Sequence, residues 1–197
     1  MDATMRNEEG FTIIELITSI AILGIMTAIA IPNIVGRMPT IRVNSAARDL
    51  ASGMRLARAK AVSESNRYVI TFDTANNQYT IHDDNDSDGN LDETGAEATD
   101  GDESSRGPFS LPTGIIFGCV AGEVSTTGSA ILNSVTFIGS SETFGPNGTA
   151  TKNGSIYLIP VQDITSNRKG RQRAITVIRT GRIKIWKYCV GSNPPWK

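Results

Sequence analysis

The sequence is poor in what most enzymes and metal proteins need. It has one histidine, His82, and two cysteines, Cys119 and Cys189, which stand far apart in the chain. Neither residue type recurs at metal-ligand spacing, so no zinc site is written here. There is no glycine-rich phosphate loop, and His82 has no recognisable nucleophile in a motif beside it, which leaves it a structural residue. Aromatic residues make up only 6% of the chain. Charge is missing by region rather than overall. The net charge is −1, yet ten acids and no base lie between Asp83 and Glu103, and nine bases and no acid follow Asp163. No internal repeat is visible.

The longest absence of charge comes first. FTIIELITSIAILGIMTAIAI, from Phe11 to Ile31, carries one ionisable side chain, Glu15. At about 1.5 Å of rise per residue such a helix covers roughly 30 Å, the thickness of a bilayer core. It is apolar on nearly every face, as a lipid-exposed helix is and a surface helix is not. It is too long for the apolar part of an ordinary secretory signal, and no small-x-small cleavage site follows it. An ionised carboxylate inside lipid costs on the order of a few kcal/mol, so Glu15 calls for a partner.

Gly10-Phe11-Thr12-Ile13-Ile14-Glu15 resembles the cleavage site of type IV prepilins and pseudopilins. The resemblance implies that a prepilin peptidase cuts after Gly10 and methylates the amine of Phe11. It implies that residues 1–10 are a leader and that Glu15 pairs with the terminal amine of a neighbouring subunit during assembly. Two charges in a low dielectric attract strongly when paired and are costly alone, which suits that role. Pro32 removes one helical hydrogen bond and is expected to kink or melt the helix; in this family a proline at this spacing marks where the helix extends in a filament. The leader MDATMRNEEG departs from the usual basic flank, with Arg6 as its one positive residue, and a start at Met5 would shorten it to MRNEEG.

The pattern then changes. Val43, Ala47, Leu50, Met54, Ala57 and Ala61 recur at spacings of three and four, which predicts an amphipathic helix continuing to about Ser65. Arg42, Arg48, Arg55, Arg58 and Lys60 lie mostly off that stripe and read as a solvated face. From Arg67 the pattern is strand-like. RYVITFD and QYTIH flank TANN as a hairpin, and FSLPTGIIF, SVTFI, SIYLIPV, RAITVIR and RIKIWKYC are further strands, the last two split by a turn at Thr180-Gly181. The expected fold is α+β. A transmembrane half-helix spans 11–35 and an amphipathic half 36–66, packed on a mainly antiparallel β domain over 67–197 with an acidic insertion at 83–103.

LASGMRLARAKAVSESNRYVITFD is similar to the start of the FimT/GspH group of minor pilins and pseudopilins. FGPNG at Phe144 to Gly148 and the terminal ITVIRTGRIKI resemble the same group. This implies a structural subunit of a type IV pilus or type II secretion pseudopilus, without catalysis. Its partners would be the peptidase, other pilin subunits and the inner membrane, with the C-terminal domain periplasmic.

Three local readings remain. Asp84, Asp86, Asp88, Asn90 and Asp92, with Gly89 between them, match the first nine positions of an EF-hand-type calcium loop, but Gly95 stands where the bidentate glutamate belongs. The alternative is a solvated acidic loop. Arg182, Lys184 and Trp186 share one face if they form a strand, and two cations beside an aromatic ring suit DNA. FimT-type minor pilins are associated with DNA capture in this terminal region, which Gly181-Arg182-Ile183-Lys184 resembles. The alternative is a subunit contact or a solvated face. Cys119 and Cys189 are a candidate disulfide if the domain faces an oxidising compartment; otherwise they are buried thiols.

Overall fold

The computed structural model describes residues 11–84, 104–192 and 195–197. Contacts divide the chain into two units, Met1–Met38 and Pro39–Lys197. In the first, every described side chain from Phe11 to Met38 is exposed. Ile13–Pro32 has a mean hydropathy of 2.2 with none of it buried, long and apolar enough to cross a membrane. The assigned helix α1 (Ile13–Ser63) runs through both Pro32 and Pro39. Neither proline has an N–H, so the carbonyls four residues earlier, at Ala28 and Val35, have no helical donor there. The break expected at Pro32 is therefore a loss of hydrogen bonds inside a continuous helical assignment.

In the second unit the stripe behaves as the spacing predicts. Val43, Ala47, Leu50, Met54, Ala57 and Ala61 are all fully buried, joined by Ala46 and Ala51. They pack with two antiparallel sheets rather than one. The first has β1 (Arg67–Asp73), β2 (Gln78–Asp84), β3 (Ser105–Ser110) and β5 (Ser141–Phe144) in the order β3-β2-β1-β5. The second has β4 (Ile115–Phe117), β6 (Gly154–Pro160), β7 (Arg173–Val177) and β8 (Ile183–Lys187) in the order β4-β6-β7-β8, with a short helix α2 (Val161–Thr165) after β6. The common core takes Tyr68, Ile70 and Phe72 from β1, Phe144 from β5, Ile156 and Leu158 from β6, and Ile175 and Val177 from β7. Each such side chain contributes roughly 1.5–3 kcal/mol by leaving water.

Two expected strands come out differently. FSLPTGIIF is split between the sheets: β3 pairs with β2, and β4 pairs with β6. Between them the chain turns at Pro112 to Gly114, where the Ile115 N–H donates to the Pro112 carbonyl and Gly114 takes φ +83°. SVTFI forms only one bridge, Val135 to Ile156, yet it delivers Phe137 to the core, stacked on Phe72 at 5.9 Å. SETF, not among the expected strands, forms β5 and borders β1.

A second cluster lies on the far face of the second sheet. Tyr157, Ala174, Tyr188 and Trp196 are buried together, with Cys119, Ile131 and Trp186 against them. The Tyr188 hydroxyl donates to Glu123, which Lys169 also pairs, and Trp196 Nε1 donates to the Val124 carbonyl at 2.8 Å.

Glu142 is one of several ionisable residues buried in this unit. It is fully buried and one carboxylate oxygen accepts the Lys152 N–H at 3.0 Å. Burial pushes its pKa above the ordinary carboxylate value, against the opposing pull of backbone N–H groups and Lys152. A raised folded pKa favours the protonated form. That contribution is complete in acid and is lost as pH rises through the folded pKa. Glu142→Gln should therefore raise the melting temperature at pH 7 and change it little near pH 4. A lower melting temperature at pH 7 would show that the charge is compensated.

Candidate functional site

Three regions carry the residues that the sequence singled out. The first is the start of α1. The Glu15 N–H donates to Thr12 Oγ1 at 3.3 Å, and Thr12 immediately precedes the helix. Thr12-x-x-Glu15 has the spacing of a capping box, and a carboxylate in the first turn also suits the positive end of the helix. The capping side chain is Thr12, and Glu15 contributes its backbone N–H to that bond. The Thr12-x-x-Glu15 spacing is legible in the sequence. Further along, the Thr18 hydroxyl donates to the carbonyls of Ile14 and Glu15 at 2.9 and 3.0 Å, and Thr27 to Leu23 at 2.7 Å. Hydroxyls bonded back to their own helix need no water, so they are tolerated in lipid. Gly10 lies outside the described residues.

The second region is the basic terminal hairpin. Lys184 and Trp186 share a face of β8, while Arg182 stands just before the strand rather than in it. Lys184 Nζ sits over the Trp186 ring, 3.3 Å from its centroid, and Trp186 Nε1 donates to Thr176 Oγ1 at 2.9 Å. The ring is half-buried against the second cluster. A ring face covered by its own lysine is not an open platform for a base, which weighs against the DNA arrangement expected from the sequence.

The remaining expectations are placed as follows. Asp84 is buried at the end of β2, whereas Asp86, Asp88, Asn90 and Asp92 lie outside the described residues. Among the described residues no three His, Cys, Asp or Glu side chains converge as metal ligands would. His82 is buried in β2. Cys119 and Cys189 are free thiols, each half-buried. Burial, and then the nearby Glu123, push the Cys119 thiol pKa up, so it is not an activated nucleophile.

The third region is the most organised. Arg58 does not lie on a solvated face. Its Nε donates to the Gly148 carbonyl at 2.7 Å. Gly148 closes the FGPNG turn at φ +73°, and Gly181 closes the β7–β8 turn at φ +76°. A Cβ built on Gly181 would lie 2.0 Å from that same Gly148 oxygen and 2.6 Å from Arg58 Nε. The Ala150 N–H donates to the Arg179 carbonyl at 3.0 Å, so the two turns are also joined through backbone. The two motifs, separate in sequence, meet on one helix arginine. Arg42 and Arg173 work similarly: Arg42 donates to the Thr113 carbonyl at 3.1 Å, and Arg173 Nε to Asn44 Oδ1 at 2.7 Å. Together they fix the helix to both sheets.

A family model described as type II transport protein GspH matches residues 46–181, more than two thirds of the chain. The chain belongs to the GspH family. The matched span holds Arg58, Gly148 and Gly181, the three members of the junction, and ends before β8. A second model, the prokaryotic N-terminal methylation motif, matches residues 5–31. Among solved structures, the chain is similar to the minor pseudopilin EpsH of the Vibrio cholerae type 2 secretion system. Identity is 11%, with 73% of this chain and 95% of that one covered, at a TM-score of 0.45. It is also similar to the Pseudomonas aeruginosa type IV minor pilin FimU. There identity is 15%, coverage is 73% of this chain and 87% of that one, and the TM-score is 0.43. No curated protein matches it.

Proposed function

We propose that this GspH-family protein is a minor pilin or pseudopilin that is processed between Gly10 and Phe11, anchored in the inner membrane by Ile13–Pro32, and built into a type IV pilus or a type II secretion pseudopilus. The observation that carries the proposal is the coincidence of two matched models on one chain: a methylation motif over 5–31 and a GspH domain over 46–181. Prepilin peptidase would remove the leader and methylate Phe11. The β domain would then face the periplasm. Glu15 would enter the filament paired with the terminal amine of a neighbouring subunit, its charge neutralised as it leaves the headgroup region. The loss of two helical hydrogen bonds at Pro32 and Pro39 supports a helix that can lengthen between anchor and domain. The protein's work in this reading is packing rather than catalysis.

Intact-mass analysis of the protein recovered from cells tests the proposal. The expected mass is that of a chain beginning at N-methyl-Phe11. A mass retaining residues 1–10, in cells with an active peptidase, would remove its foundation.

A further inference from the structure

The last strand of the second sheet has an open edge. In an antiparallel pair, the hydrogen-bonded residues alternate with residues whose N–H and C=O groups point away. Between β7 and β8 the phase is set by the Ile178 N–H, which donates to the Arg182 carbonyl at 3.2 Å. The pairs Thr176–Lys184 and Ala174–Trp186 follow in the same phase. The backbone groups of Ile183, Ile185 and Lys187 therefore point outward. At Lys187 they are used: its N–H donates to the Lys197 carbonyl at 2.7 Å, and the Lys197 N–H donates back at 3.0 Å. The edge thus already takes an extended strand at one end. Among the described residues, nothing pairs with β8 at Ile183 and Ile185, where the sheet order stops.

An unpaired edge is a template for another strand. The side chains here say which strand. Ile183 and Ile185 turn to the main core, while Lys184 turns to the opposite face and is exposed. Arg179, Arg182, Lys187 and Lys197 are exposed around it, and no acid follows Asp163 in the sequence. Lysines on an edge repel a like edge, so β8 of a second copy is disfavoured. A strand lying beside Ile183 and Ile185 would place alternate residues over the core face and opposite Lys184.

We propose that the open edge of β8 is a docking site for an extended peptide segment that alternates apolar and acidic residues. Main-chain hydrogen bonds to Ile183 and Ile185 would supply affinity, and the lysine on the outer face would supply the choice of partner. The inference does not depend on how the chain is processed or assembled.

The test uses the full chain in detergent micelles and fluorescence anisotropy of a labelled peptide of about nine residues alternating valine and glutamate. A control peptide of the same composition carries its glutamates in one block. The alternating peptide should bind, more weakly as salt rises, and the block peptide should bind about tenfold less tightly. Lys184→Glu should weaken binding by about tenfold or more. Ile183→Pro removes an outward N–H at the first residue of an edge strand, a position that tolerates proline, and should abolish binding while the melt stays cooperative. Should that variant fail to fold, Lys184→Glu still decides. Equal binding of the two peptides, or binding indifferent to Lys184→Glu in folded protein, overturns the proposal. So does a single-stranded oligonucleotide that binds more tightly than the peptide and is lost with the same substitution, because the edge would then read phosphate.

Discussion

Gly181→Ala should be among the most destabilising single-methyl changes in this chain. Two costs act at once. The residue sits at φ +76°, where an L side chain costs roughly 1–2 kcal/mol. Its new Cβ would also meet the Gly148 carbonyl oxygen at 2.0 Å, a backbone atom that Arg58 holds in place. Relief requires pulling the β7–β8 turn off the FGPNG turn, which breaks the Arg58 bond and the Ala150–Arg179 bond. We expect a loss of at least about 3 kcal/mol, which at this chain length is roughly 6–12 °C in melting temperature. Gly148→Ala is the internal control. It meets the same φ cost, but its nearest neighbour would be the tip of Val62 at 3.2 Å, so it should lose clearly less. Thermal melts of the two variants against the parent protein check this. Equal losses would mean that backbone conformation alone matters and that the junction is not tightly packed.

The other large effect is expected at Glu15. Glu15→Ala removes a charge from a stretch long and apolar enough to cross a membrane, so membrane residence should be unchanged or improved. Incorporation into filaments should fall severely, because the terminal amine of a neighbour would be left buried without its partner. Thr12 caps the same turn, and two further variants separate that cap from the charge. Thr12→Ala removes the cap at a cost of about 1 kcal/mol and leaves the carboxylate. Glu15→Gln leaves hydrogen-bonding capacity and removes the charge. If charge pairing drives assembly, Glu15→Gln should resemble Glu15→Ala, and Thr12→Ala should assemble nearly normally. Quantitative immunoblots of sheared filaments would show it. Normal incorporation of Glu15→Gln would end the pairing role.

The sequence was most legible where one local periodicity dominates. The apolar run of Phe11 to Ile31 and the stripe from Val43 to Ala61 each repeat one rule over many residues, so both read correctly without knowledge of the rest. The β1–β2 hairpin and the β7–β8 turn were legible for a similar reason: turn residues sit between two alternating runs. Legibility failed where the partner decides. FSLPTGIIF looks like one strand because its apolar residues are continuous, and only the pairing of β3 with β2 and of β4 with β6 shows two. SETF is too short and too polar to announce itself. It becomes a strand because β1 offers it an edge.

By itself the sequence determined the long apolar helix, the methylation motif, the amphipathic helix and the α+β class, because each depends on neighbours within a few residues. Arg58 shows what it could not determine. Arg42, Arg48, Arg55, Arg58 and Lys60 look alike in sequence, and helical spacing places them mostly off the buried stripe. Only the return of two distant turns to the same point makes Arg58 a donor to Gly148 rather than a solvated cation. Lys184 and Trp186 show the same limit. Strand alternation puts them on one face, but it does not say that the lysine lies over the ring or that Thr176 holds the indole. The tertiary structure decided these points because side-chain pairing depends on which backbone arrives alongside, and that is set by contacts between residues that the sequence keeps far apart.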